Sequence, residues 1–199
     1  MKRMNKLSAI LSASLLLGLA FPAFADTSKE ELELLGQRVQ DQPQSPECQF
    51  DLAMGLARTS KLEVAWGALK KVNEMDPTYA DKVITRFGSL VQANPQNIEA
   101  RFRLAFGYYF KNQKDLARAQ LEEILQVDPN YVWAYNYLGY FFAEKNDLNR
   151  ASELWKKAIQ IAPENAVAHF LVGQAHYRNG QLKEAASEIA LAMKLRGAD

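Results

Sequence analysis

The stretch DPNYVWAYNYLGYFFAEKNDLNRASELWKKAIQIAP, residues 128–163, decides how the whole chain is read. Pro129 and Pro163 stand 34 residues apart, and between them two apolar periodic runs flank the polar turn Lys145-Asn146-Asp147. Proline does not continue a helix, and a polar trio between apolar runs marks a turn, so the segment reads as a helical hairpin. Its first half is crowded with Trp, Tyr and Phe but holds no evident catalytic pair or metal-ligand cluster. The ring surface therefore needs an explanation of its own.

The spacing recurs. Pro43 to Pro77 and Pro95 to Pro129 are also 34 residues, and the frame from Pro163 runs out at Gly197, which takes the next proline's place. A fixed period of this length marks an array in which each unit is one supersecondary element. With position 1 set three residues after each proline, position 3 is Cys48, Ala100, Ala134 and Ala168. Position 8 is Ala53, Ala105, Gly139 and Gly173, and position 20 is Ala65, Ala117, Ala151 and Ala185. Small residues let helix backbones approach, so these are expected helix contacts. Bulk comes from position 7 (Leu52, Leu104, Leu138, Val172) and position 24 (Leu69, Leu121, Trp155, Ile189).

Tyr135, Leu138, Gly139, Phe142, Ala151, Trp155, Ala158 and Pro163 together resemble the signature of the tetratricopeptide repeat (TPR) family. The resemblance extends over four frames, from Pro43 to Gly197. It implies an all-α fold, a solenoid of antiparallel helix pairs wound into a right-handed superhelix. The expected order is a secretory signal peptide over residues 1–25, a cap helix over 26–42 and a first repeat over 43–77. An extra helix over 78–94 follows, then three repeats over 95–129, 130–163 and 164–197. The extra segment carries Val83, Phe87 and Leu90 where a second helix has positions 20, 24 and 27, as though its partner were missing. In the cap segment, Ser28 and Glu31 form a capping box ahead of Leu32, Leu35 and Val39. With no polar helix after the last repeat, Ile189, Met193 and Leu195 are expected to be exposed or covered by a partner.

Residues 1–25 combine a positive start (MKRMNK), a short apolar core and the small-x-small run Ala23-Phe24-Ala25, the parts of a cleaved secretory signal. Export to a periplasm is expected, secretion being the alternative, with cleavage after Ala25 and no stable membrane anchor thereafter. Loss of Lys2, Arg3 and Lys6 leaves 21 basic against 23 acidic side chains. So balanced a charge offers no long-range attraction for phosphate, and nucleic acid is not an expected partner. Cys48 is the single cysteine, which leaves apolar packing rather than an internal disulfide to hold the fold.

In TPR proteins, positions 4, 7, 8 and 11 of the first helix pack within the repeat. Positions 2, 5, 9, 12 and 13 line a concave groove. The resemblance therefore assigns Tyr135 and Phe142 to packing and leaves Phe102, Phe106, Tyr109, Phe110, Trp133, Tyr140, Phe170 and Tyr177 on the groove, with Phe50 and Met54 in the first repeat. An aromatic wall of this kind fits apolar side chains of a peptide segment or helix from another protein. Asn136 is expected to hydrogen-bond the peptide backbone, and Arg103 and Arg178 to meet an acidic side chain at the rim. The Lys and Asn that clamp a terminal carboxylate in some TPR domains are absent from positions 5 and 9 of any one repeat. Burial of individual rings against the chain itself is the competing reading, and truncation of Tyr140 is expected to spare stability.

His169 and His176 fall at positions 4 and 11, so they read as packing residues rather than a metal pair, and no third ligand accompanies them. No phosphate loop, nucleophile elbow or zinc-binding helix motif is present. The chain is expected to be a non-enzyme with no cofactor, an adaptor or chaperone in envelope assembly. The run LELLGQRVQDQP followed by PECQFDLAMGLA resembles TPR domains of cytochrome c maturation factors, and pilus and outer-membrane assembly proteins share the layout. Self-association, including a homodimer, and a metal-dependent enzyme are the alternatives.

Overall fold

The computed structural model describes residues 27–197, so the expected signal segment lies outside the described residues. Those residues form ten α-helices and no strand. They are α1 (Lys29–Asp41), α2 (Pro46–Leu56), α3 (Leu62–Met75), α4 (Tyr79–Ala93), α5 (Ile98–Phe110), α6 (Lys114–Val127), α7 (Val132–Glu144), α8 (Leu148–Ile161), α9 (Ala166–Arg178) and α10 (Leu182–Arg196).

Local chemistry sets the boundaries. Ser28, Ser45, Asn97 and Asn165 each cap a helix N-terminus by accepting the backbone N–H three residues on, and Pro46 sits in the first turn of α2, where its missing N–H costs nothing. The turns within the last three hairpins reverse through a residue with positive φ, at Asn112 (57°), Asn146 (61°) and Gly180 (76°), the types that tolerate this conformation best. These three positions are again 34 residues apart.

Helices pair as α2 with α3, α5 with α6, α7 with α8 and α9 with α10, and successive pairs stack through α6 on α7 and α8 on α9. The small residues are where backbones meet: Ala53, Ala117, Ala134, Ala151 and Ala168 are wholly enclosed. Gly139 lies directly under the Trp155 indole, where a methyl group would have no room. Leu121 and Ile124, also enclosed, each stabilise the array by about 1.5–3 kcal/mol.

The N-terminal half breaks the pattern. The helix over 78–94 packs closely on α5, as a second helix packs on the next repeat, while consecutive α3 and α4 barely touch. With no first helix to pair α4, the α2–α3 hairpin turns across the array instead of extending it. Phe50 of α2 lies against Tyr79 and Phe87 of α4, with ring centroids 5.7 and 6.4 Å apart. Tyr137 of α7 donates its hydroxyl to the Ala57 carbonyl at 2.7 Å. One hydrophobic core consequently runs from Phe50 to Val167.

Candidate functional site

The groove-lining rings of α5 converge with Tyr137 and Phe141 of α7, which the groove positions do not include, into a single aromatic cluster. Phe102 and Phe106 meet edge to face at 5.2 Å, and Tyr137 closes on them at 5.6 and 5.1 Å. Tyr109 stands edge-on to Phe110 and Phe141 at 6.1 and 5.7 Å. Edge contacts of this kind each add about 0.5–1.5 kcal/mol beyond the area they bury.

Trp66 covers the cluster. From α3 its indole lies 5.4 Å from Tyr109, 6.3 Å from Phe110 and 6.4 Å from both Phe106 and Tyr140. It helps line an open apolar depression floored by Ala105, Leu121 and Phe141. The sequence reading missed this residue. Trp66 occupies position 21, which is Arg118, Ser152 and Ala186 in the other frames, and an indole at an otherwise polar or small position was the available signal.

The nine predicted groove residues divide accordingly. Phe102, Phe106, Trp133 and Asn136 are buried by the chain itself. Tyr109, Phe110 and Tyr140 are half-buried around Trp66. Only Phe170 and Tyr177, at 40% and 66% exposure, stand open on α9. Tyr140 packs against Trp66 as well as facing the groove. The side chain of Asn136 donates to Asn165 at 3.2 Å, while its own carbonyl oxygen Oδ1 has no donor within reach.

Charges tie the hairpin down around the rings. Arg103 donates to Asp51 of α2 at 2.6 Å and to Glu99 at 2.5 Å, and Arg58 bonds Glu99 from the other side. Arg86 of α4 reaches Glu47 of α2 at 2.6 Å. Arg103 is thus engaged internally, and the expected rim contact with a foreign acidic side chain is corrected, whereas Arg178 bonds Asn146 at 3.2 Å. Burial works to raise the Glu99 carboxyl, but the two guanidinium charges outweigh it and hold the group at about 2. Burial likewise opposes the charge on Arg58, and Glu99 reverses that, raising the Arg58 pKa above its ordinary value. Tyr131 beneath this network is pushed up to about 12, by burial first.

The two histidines have structural partners. His169 is buried, with Nδ1 2.6 Å from Glu188 and Nε2 2.9 Å from the Pro163 carbonyl, and His176 bonds Gln181 at 2.7 Å. Among the described residues no three His, Cys, Asp or Glu side chains gather as a metal site. Cys48 is buried at a helix contact.

A family model described as TPR repeat matches residues 139–180, the span from the Gly139 contact through the Gly180 turn. Residues 139–180 are a tetratricopeptide repeat, and the described residues have the all-α fold of a TPR array. The array is similar in fold to a MamA crystal structure, with a TM-score of 0.54 at 18% identity over 84% of this chain and 81% of that one. A MamA RS-1 double mutant also gives 0.54, at 21% identity over 97% and 94% of the two chains. Among curated sequences, the uncharacterized protein ycf37 of Porphyra purpurea is 35% identical over 66 residues, 33% of this chain and 38% of that protein. Human IFIT1 homolog B is 26% identical over 144 residues, 72% of this chain and 28% of that protein. The chain thus spans well under half the length of either relative.

Proposed function

We propose that this TPR protein is a protein-binding adaptor or chaperone whose inner face seats a helix or peptide segment of a partner through aromatic side chains. One observation carries the reading: that face already receives a helix, with Trp66 of α3 seated among Phe106, Tyr109, Phe110 and Tyr140. Helix-in-groove recognition uses anchors of this type, large rings in a desolvated pocket with charges at the edge. The open part of the face, Phe170 and Tyr177, continues the same lining onto α9. A periplasmic setting in envelope assembly is supported by the signal-like residues 1–25 and by the likeness of residues 32–43 and 46–57 to TPR domains of cytochrome c maturation factors.

A second reading, self-association, draws on the exposed Leu182 and Met193 of the terminal helix α10, at 63% and 69%. Photocrosslinking in intact cells tests both, with the reactive group at Tyr177 or Tyr140 and a control at exposed Leu116 on α6. A discrete foreign adduct from the groove positions alone is expected. Adducts only to the chain itself favour self-association, and adducts no different from the control refute groove binding.

A further inference from the structure

The most informative surface is the one that the chain covers with its own hairpin. We propose that α3 is an internal mimic of the partner: the inner face recognises an amphipathic helix bearing an indole followed three and six residues later by aliphatic side chains, and the unit α1–α3 swings aside to admit it. This rests on the groove reading above and specifies both the ligand and its gate.

The ligand pattern is read from the present occupant. Trp66 sits on the rings of α5 and α7, and Leu69 and Val72, one and two turns further along α3, are buried and line a pocket together with Phe50 of α2, Val83 of α4 and Phe110 of α5. Residues spaced by three along a helix share a face. The remaining face of α3 carries Glu63, Lys70, Lys71 and Glu74 in solvent. A foreign helix with the same stripe would satisfy the same pocket.

The gate follows from connectivity. Helix α1 packs on α2 and α2 on α3, yet α3 and α4 barely touch, so the unit joins the array covalently through residues 76–78 alone. Its other attachments are side chains: buried Met54, Leu69 and Val72 in the shared core, the Trp66 anchor, the Phe50 contacts, the Tyr137 to Ala57 bond and the pairs of Arg103 with Asp51, Arg58 with Glu99 and Arg86 with Glu47. A unit packed internally and held to the rest mainly by such contacts is one that opens as a body. Because the hairpin is tethered, it competes at high effective concentration, and a free ligand binds only the open fraction of molecules.

The probe is a labelled peptide of residues 61–76, titrated by fluorescence anisotropy onto the full chain, together with hydrogen exchange on the full chain alone. We expect weak binding to wild type, tightening by about tenfold or more in the Trp66→Ala chain, whose own anchor is gone. We expect loss of binding when the peptide itself carries Trp66→Ala. Amides of α2 and α3 should exchange together, at least about tenfold faster than those of α6–α8. Equal exchange in the two regions overturns the gate whether or not the variant folds. Equal peptide affinity for wild type and variant refutes displacement while leaving the groove reading intact. No binding to either chain, with fast exchange of α2 and α3 retained, refutes the ligand pattern, and a foreign crosslink from Tyr177 would then separate that failure from failure of the groove.

Discussion

Replacing Gly139 by alanine tests whether the close approach in the third repeat sets its stability. A methyl at Gly139 would fall within the Trp155 indole, which is itself buried and donates Nε1–H to the Asn136 carbonyl at 3.0 Å. The ring has little room to retreat, since Ala151, Val172 and Ala175 close the same small core. Overpacking costs about 1–3 kcal/mol. Pulling the indole off its acceptor strands a buried donor, which adds about 1–3 kcal/mol. The gain in helix propensity from glycine to alanine returns about 1 kcal/mol. The net loss is about 1–5 kcal/mol, and with a urea slope of about 2 kcal/mol per molar the midpoint falls by about 0.5–2.5 M. Gly67, inside α3, has nothing within 4 Å of the same methyl, so Gly67→Ala should raise the midpoint through propensity alone. Urea melts followed by far-UV circular dichroism measure both. A Gly139→Ala midpoint at or above wild type, or a shift of the same sign in both variants, refutes the packing argument.

Tyr137→Phe removes one hydroxyl that joins α7 to the Ala57 carbonyl. It should cost about 1–2 kcal/mol and speed hydrogen exchange in α2 more than in α8. Glu99 has a folded pKa of about 2, below the ordinary unfolded value of about 4.3. Its ion pairs therefore stabilise the fold fully above about pH 4.3, and that contribution is lost as pH falls through about 2. Glu99→Gln should flatten the acid limb of a stability-versus-pH curve, and added salt should do so partly because 44% of the Glu99 side chain is exposed. An unchanged limb in the variant refutes the assignment. Asn165→Ala deletes the N-cap of α9, where Asn165 accepts from the Ala168 N–H at 2.8 Å, and also the bond from Asn136. A loss of about 1–2 kcal/mol is expected in thermal or urea melts, with Asn165→Asp retaining most of the cap.

The repeat architecture was legible because it is local. The 34-residue period, the small residues at positions 3, 8 and 20 and the Ser28 cap all encode contacts within one hairpin or its neighbour. The unpaired character of α4 was visible too, in Val83 and Phe87 standing where a second helix places its bulk. That Phe102, Phe106, Tyr109 and Phe110 share one side of α5 was also readable, since 100° per residue fixes it. What covers that face was not. Trp66 lies 74 residues before Tyr140, and nothing in the periodicity of either helix reports that they meet. Likewise Arg103, placed on the wheel as a rim charge, pairs with Asp51, 52 residues earlier. Sequence pattern shows that a side chain wants a partner, and long-range topology decides whether the partner is the chain itself.

The bond from Tyr137 to Ala57 spans 80 residues and skips over an entire repeat. In a plain solenoid each unit touches only its neighbours, so folding can begin anywhere and spread along the row. Here the N-terminal hairpin finds its seat only after α5 and α7 have come together to form it. Closing that long loop carries an entropy cost that the nearest-neighbour contacts do not, so docking of α1–α3 should follow assembly of α5–α10 as a slower step. During synthesis the segment made first would then be the last to settle, and the ring surface of α5 and α7 would face solvent in the interval.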